Sequence, residues 1–303
     1  MSEFDNPEIY RSILETLPTA VYLVDRNRKI LFWNAGAEDI SGYLRQDVVG
    51  RFLRDHLLTA NEEVQDVDAD PFDPLGVAFR DGKPSTAHVS ILHKQGYRVP
   101  IVLQTVPIRN ERGGVIGVAE CFERNISASE RTRRQIPAAE LGCIDALIGV
   151  PTRTFMETQV REQLTLFAER HIPFAVLLMQ VDQLDQVRAA RGPSVVAAVL
   201  RVVAQTIENS LRPTDAVGCW SDHQFLALLM QCRGTDVESV ANRIRKMIAQ
   251  SEIEWWGDKF SVTASLGGAG IRVEDTPELL VERAEKSLSQ SIAAGGNLVT
   301  VAI

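Results

Sequence analysis

The sequence predicts two folded units in series, an α+β unit followed by an α/β unit. Three observations predict this. The chain has 303 residues, and folded domains average roughly 150. Hydrophobic residues make up 45% and charged residues 24%, a mix that builds cores and does not stay disordered. Strand and hairpin signals dominate the first 125 or so positions, whereas helical and strand periods alternate beyond about 145.

In the first half, residues 10–17 form an amphipathic helical pattern. Residues 19–25 and 29–34 read as strands joined by a polar Arg26-Asn27-Arg28 turn, and two short helices follow over 35–40 and 44–49. Residues 61–73 carry Glu62, Glu63, Asp66, Asp68, Asp70 and Asp73 without any period and read as a loop. Those carboxylates lack the central glycine and closing glutamate of a calcium loop, so a solvated loop is expected. Strands over 85–93, 98–108 and 115–123 close the half, and the connections between them use glycine for tight hairpins. A polar helix over 127–135 leaves the unit and breaks near Pro137.

In the second half, a helix over 154–170 places Val160, Leu164 and Phe167 on one face. The apolar run 174–181 is a strand buried on both sides. Val195, Val199, Val203 and Ile207 make a helical stripe. Strands over 216–219 and 225–231 flank a turn at 220–224. A helix over 237–248 and a strand over 260–269 follow, with Trp255-Trp256-Gly257-Asp258 as an exposed hairpin holding one buried indole. Thr276-Pro277-Glu278 opens the last helix with a cap and a first-turn proline, and residues 297–303 are a final strand.

Composition narrows the function. A formal net charge of -8 repels nucleic acid and anionic membrane. The longest apolar runs, 173–179 and 195–200, fall far short of the ~20 residues that span a bilayer. The acidic start, Met1-Ser2-Glu3-Phe4-Asp5, is no secretion signal. A cytoplasmic protein without membrane or nucleic-acid partners is expected. Cys121, Cys143, Cys219 and Cys232 form no Cys-x-x-Cys pair and have no histidine at metal spacing, so they are expected as reduced thiols in or near a core. His56, His88 and His93 are the candidate haem ligands. Odd spacing sets His88 and His93 on opposite strand faces, His93 is expected in solvent beside its turn, and His56 is expected to complement a helix end. No metal site is expected.

Several motifs carry a resemblance. Leu17-Pro18-Thr19-Ala20-Val21, Trp33-Asn34-Ala35-Gly36-Ala37-Glu38, Gly42-Tyr43, Val49-Gly50-Arg51, His93-Lys94-Gln95-Gly96-Tyr97 and Gly113-Gly114-Val115-Ile116-Gly117 together make residues 10–124 resemble a PAS domain. That resemblance implies a five-stranded antiparallel sheet cupping a small ligand or a partner, the ligand unknown. Asp145-Ala146-Leu147-Ile148-Gly149-Val150-Pro151-Thr152-Arg153, the strand over 174–181, the 212–215 turn, the hairpin ending at Phe225, and Arg283-Ala284 followed by Ala294-Gly295-Gly296-Asn297 make residues 145–303 resemble a GGDEF domain. This implies the diguanylate cyclase fold, a nucleotidyl-cyclase-like central sheet flanked by helices. The implied division is a PAS sensor over 1–126, a linker helix over 127–144 and a GGDEF domain over 145–303.

The same resemblance implies a degenerate active site. An active cyclase joins two GTP molecules with Mg²⁺ held by carboxylates. The family's ligand positions fall on Gln180 and His223, and its signature hairpin reads Ser221-Asp222-His223-Gln224-Phe225. Ser221 and Asp222 stand at its glycines, Arg188 and Ala197 at its guanine readers, and Ile292 at its basic residue. Asp182 and Asp185 survive nearby; Asp182 is expected to turn away from position 180 and to cap the next helix. Arg212-Pro213-Thr214-Asp215 matches the family's product-binding inhibitory motif, and Arg243 stands where relatives place a second arginine. An arginine fork can meet guanine O6/N7 or a phosphate, and an aspartate can accept from guanine N1 and N2; the same four residues also make a good turn. The expected protein is a dimeric bacterial signalling molecule, receiving cyclic di-GMP or docking other GGDEF or effector proteins. The alternatives are an active cyclase with unusual metal ligands and a scaffold that binds no nucleotide.

Overall fold

The computed structural model describes residues 6–52, 58–60, 74–124 and 143–302. The chain divides near Asn125 into two compact units. His56, the acidic stretch 61–73 and most of the expected linker helix lie outside the described residues.

In the first unit, α1 (Pro7–Thr16) precedes β1 (Ala20–Asp25) and β2 (Ile30–Trp33). Helices α2 (Ala35–Ser41) and α3 (Arg45–Val48), strand β3 (Leu58–Ala60) and helix α4 (Pro74–Asp81) come next. Strands β4 (Ser85–Leu92), β5 (Arg98–Arg109) and β6 (Val115–Arg124) complete it. The sheet runs β2-β1-β6-β5-β4-β3. The five expected strands form, and β3 adds a short sixth at the edge beside β4, antiparallel to it. Helix α4 carried no sequence signal: in eight residues it buries Leu75 and Ala78 alone, too few to reveal a period.

The motif residues earn their places physically. Asn34 is 1% exposed. Its Oδ1 accepts from Val21 N at 2.8 Å and Ala37 N at 2.9 Å, while Nδ2 donates to Leu14 O and Thr19 O at 2.9 Å each. One side chain thus caps α2 and ties it to β1 and to the end of α1. Gly36 is required by close approach, since a Cβ there would lie 2.5 Å from Pro18 O. Tyr22, Trp33 and Phe122 fill the core, with ring centroids 5.2 Å apart for Tyr22 and Trp33 and 6.1 Å for Tyr22 and Phe122. The Tyr22 hydroxyl donates to fully buried Glu120, and burial beside that carboxylate holds the phenol well above its usual range.

His88 is exposed, but His93 is not in solvent as expected: it is 8% exposed, packed against Gly42, and its Nδ1 accepts from Gln95 N at 3.1 Å. His93 lies just past the end of β4, and the turn beside it does not uncover it. Burial, helped by the Arg124 charge, lowers His93 from 6.5 to about 4. The unfolded chain therefore takes up this proton at higher pH than the folded one. Stability is full above about 6.5 and is lost as the pH falls toward about 4, by at most about 3 kcal/mol. Denaturant midpoints of wild type and His93→Gln across this range check it, the variant losing that part of the slope.

The second unit contains α5 (Arg153–Arg170), β7 (Phe174–Val181), α6 (Leu184–Arg191), α7 (Ser194–Ser210), β8 (Ala216–Ser221) and β9 (Gln224–Met230). Then come α8 (Gly234–Ala249), β10 (Ile253–Trp255), β11 (Asp258–Phe260), β12 (Ala264–Gly270), α9 (Pro277–Ala293) and β13 (Val299–Ala302). Sheet order is β13-β12-β7-β9-β8, with β12–β13 parallel and the pairs β7–β12, β7–β9 and β8–β9 antiparallel. Strand β7 is buried on both sides as its apolar run predicts. Val176 and Leu178 pack under α5 and α9 with Val160, Val281 and Leu288. Alternation puts successive residues of β12 against different helices. A Cβ on Gly267 would fall 2.1 Å from Leu288 N of α9, and one on Gly268 would fall 2.6 Å from Val237 of α8. In the β10–β11 hairpin, Trp256 is 93% exposed at φ 54°, while Trp255 is half-buried, short of the fully buried indole expected. The four cysteines are free thiols; burial pushes Cys219 and Cys232 up to about 11.

Candidate functional site

The signature hairpin lies at one end of the second sheet. Strands β8 and β9 are joined by the two-residue turn Asp222-His223, tighter than the five-residue turn expected. Neither residue has positive φ, so the turn closes without glycine. Trp220 sits at a register shift in β8.

Gln180, at the end of β7, lies directly opposite Gln224. Gln224 Nε2 donates to Gln180 Oε1 at 2.9 Å, and Ser221 Oγ donates to Gln224 Oε1 at 3.1 Å. A neutral chain of amides and a hydroxyl therefore spans two of the positions marked in the sequence. His223 meets Arg188 of α6, with 2.8 Å between Arg188 Nη2 and His223 Nε2. A guanidinium can only donate, so in this contact Nε2 is the acceptor. Asp185 adds its carboxylate to Arg188 at 3.4 Å. Sequence reasoning singled out Arg188 and His223 separately and missed their contact, because no spacing rule joins positions 35 apart.

Asp182 corrects the sequence reading. It does not turn away from Gln180, because strand residues two apart share a face. Ser265 stands directly opposite Gln180 and donates its hydroxyl to Asp182 Oδ1 at 2.7 Å. Nor does Asp182 cap α6: the N-cap is Gln183, at φ 53° with no side-chain bond. Asp182 Oδ2 accepts from Thr263 Oγ1 at 2.7 Å and Asn297 N at 2.9 Å. It is a crosslink between β7, β12 and the loop after α9.

Mg²⁺ requires anionic oxygens. Gln180 offers a neutral oxygen that already accepts, His223 directs its lone pair at a guanidinium, and both Asp182 oxygens are committed. This donor set does not fit Mg²⁺. Asp222 is exposed on the turn, Ala197 has no polar side chain, and Ile292 is 39% exposed.

At the other end of β8, the 212–215 turn is drawn tight. Asp215 N donates to Arg212 O at 2.9 Å. The Asp215 carboxylate accepts from Arg212 N and from Met230 N, each at 3.0 Å. Asp215 is 7% exposed, and burial raises its carboxyl while those N–H groups and the Arg212 and Arg243 charges hold it back. Arg243 of α8 donates to Ser210 O at 2.9 Å. The three residues named from the sequence are thus brought together, with Arg212 exposed and Asp215 turned inward as the anchor of the turn.

Fold and site define the class: an antiparallel PAS fold followed by a mixed α/β domain of the diguanylate cyclase type. The family model "Diguanylate cyclase, GGDEF domain" matches residues 143–298, and the PAS fold model matches residues 8–122. The chain belongs to the GGDEF family. It is 28% identical over 134 residues to diguanylate cyclase A of Treponema denticola, covering 44% of this chain and 36% of that protein. It is 24% identical over 278 residues to the probable diguanylate cyclase DgcE of Escherichia coli, covering 87% of this chain and 23% of that one. The chain therefore spans about a third or less of these two relatives' lengths. Among solved structures, diguanylate cyclase SiaD of Pseudomonas aeruginosa, in complex with its activator SiaC, aligns with TM-score 0.52 and 27% identity, covering 57% of this chain and 69% of that one. The GGDEF domain of DgcB from Caulobacter crescentus, in complex with c-di-GMP, shares the fold at TM-score 0.51 and 18% identity, covering 53% and 93%.

Proposed function

We propose that this chain is a cyclic di-GMP signalling protein that receives the nucleotide and does not make it. In this reading a PAS sensor over 1–126 and a linker over 127–144 are coupled to a degenerate GGDEF domain over 145–303. The protein acts as a homodimer, since two-fold pairing is the usual outcome for such chains; the alternative to nucleotide reception is a module that docks other GGDEF or effector proteins. Among the described residues no helix is long and apolar enough to cross a membrane.

One observation carries the loss of synthesis. Where the family has metal-binding carboxylates, this chain has Gln180 bonded to Gln224, and His223 facing Arg188. Phosphoryl chemistry on GTP needs developing negative charge neutralised, and a neutral amide chain supplies none of that. The expected result is no cyclic di-GMP from GTP with Mg²⁺ or Mn²⁺. Turnover by the purified chain that disappears in Asp222→Ala would overturn this and reveal an altered metal site.

The receptor reading is supported by the cluster of Arg212, Asp215 and Arg243. A dinucleotide with two phosphates needs local cations to approach a chain of net charge -8. Arg212 is exposed and its backbone is fixed by the turn, so little entropy remains to be lost on binding. Arg243 stands close enough for its charge to act on Asp215.

A further inference from the structure

One end of the first unit's sheet is built from three connections lying side by side: the β1–β2 turn, the β5–β6 turn and the lead from α4 into β4. Arginines staple them together. Arg26 Nε donates to Val115 O at 2.7 Å, and Arg109 donates to Gly113 O at 2.6 Å and to Gly82 O at 2.7 Å. Ile30 N donates to Arg51 O at 2.9 Å, which brings residues 51 and 52 to the same end. Strand β6 begins here and finishes at Arg124, at the opposite end of the sheet.

Six exposed cations gather on this end: Arg26, Lys29, Arg51, Lys83, Arg109 and Arg112. The carboxylates there, among the described residues, are Asp25, Asp81 and Glu111. Asp25 Oδ1 already accepts from Asn27 N at 2.8 Å and Lys29 N at 2.9 Å, and Asp81 is paired with Arg80 at 3.2 Å. Exposed charges act over about 8 Å at physiological ionic strength. An approaching surface therefore meets the positive sign of this end and not the chain's net -8. Three apolar side chains stand among the cations, each more than half exposed: Leu31, Phe52 and Ile116. Two of them are raised by β-bulges. Leu23 faces Phe32 and Val24 faces Ile30, which leaves Leu31 as the extra residue. Ile108 faces Gly117 and Arg109 faces Val115, which leaves Ile116 as the extra residue of its strand. Phe52 is bridged to Lys29 beside the start of β2.

A nucleic-acid backbone would match the cations and leave the apolar groups in water. An anionic bilayer matches both, with lipid headgroups against the cations and the acyl boundary against the apolar tips. We propose that this end of the first unit docks on an anionic membrane surface, with Leu31, Phe52 and Ile116 entering the interface. The contact is peripheral and reversible, each Lys or Arg near the surface contributing about fivefold in affinity. It does not depend on the nucleotide reading of the second unit.

Co-sedimentation of the full chain with vesicles tests this, comparing phosphatidylcholine alone with phosphatidylcholine carrying roughly 30% phosphatidylserine. Wild type is expected on the anionic vesicles only, and severalfold less of it when salt rises from about 0.1 to about 0.5 M. Lys83→Glu combined with Arg112→Glu, both on exposed turns, should weaken binding at least about tenfold. Phe52→Ser and Ile116→Ser should each weaken it about fivefold, since a hydroxymethyl gains little from leaving water. No binding at about 1 mM accessible lipid would overturn the proposal, as would equal binding to the neutral vesicles. Binding that Phe52→Ser and Ile116→Ser both leave unchanged, and that a DNA duplex competes away, would show a general polyanion surface and overturn it too. Arg212→Ala should sediment like wild type; its release from the vesicles would place the contact in the second unit and overturn the assignment.

Discussion

Replacing Arg212 by alanine is expected to weaken cyclic di-GMP binding about thirtyfold, the equivalent of losing one charge-assisted bidentate contact of roughly 2 kcal/mol. The guanidinium is exposed, while the backbone N–H of the same residue donates to Asp215 at 3.0 Å. Truncating the side chain therefore removes the ligand contact and leaves the turn closed. Arg243→Ala should also weaken binding, but it additionally frees Ser210 O. Asp215→Asn is a different experiment. Both oxygens of that carboxylate accept backbone N–H groups, so its loss loosens the turn that presents Arg212 as well as removing an acceptor for guanine. Calorimetry with salt variation checks the series, since exposed phosphate pairing weakens as ionic strength rises. Wild type that shows no heat at about 100 µM ligand would leave the motif as a turn and favour the scaffold.

Asp182→Ala is expected to cost about 3 kcal/mol of stability in the second unit, because it strands two hydroxyls and one backbone N–H at once. In a domain of roughly 150 residues that lowers the midpoint by about 6–12 °C. Asp182→Asn should recover part of the loss, since one amide oxygen can still accept from a hydroxyl. Calorimetric melting of the full chain checks this through the transition assigned to the second unit. A shift below about 1 °C would show that Thr263, Ser265 and Asn297 find water or one another without penalty.

Much of the fold was legible because its signals are local. The apolar run of β7, the Val195–Val199–Val203–Ile207 stripe of α7 and the Thr276-Pro277 start of α9 each follow from period or cap chemistry within a few residues. Helix α4, at eight residues, carried too little period to register. The turn at 212–215 and the hairpin around 221–225 were legible as well, because each is contiguous in the chain.

By itself the sequence determined which side chains are present: neutral Gln180 and His223 at positions that its family resemblance marks for metal ligands, and Arg212, Asp215 and Arg243 as the set that we propose for the nucleotide. Residue identity at a family position decides which charges exist. Only the tertiary structure decided what those groups face. It paired His223 with Arg188 across 35 positions and set Gln224 against Gln180 across 44. It made Asp182 a crosslink where a helix cap was expected, and buried His93 behind a turn that reads as exposed. The physical reason is the same in each case. Strand pairing and helix packing bring side chains together at distances no spacing encodes, and the acceptor capacity of a carboxylate, an amide or an imidazole is then taken by whichever donor the fold places nearest.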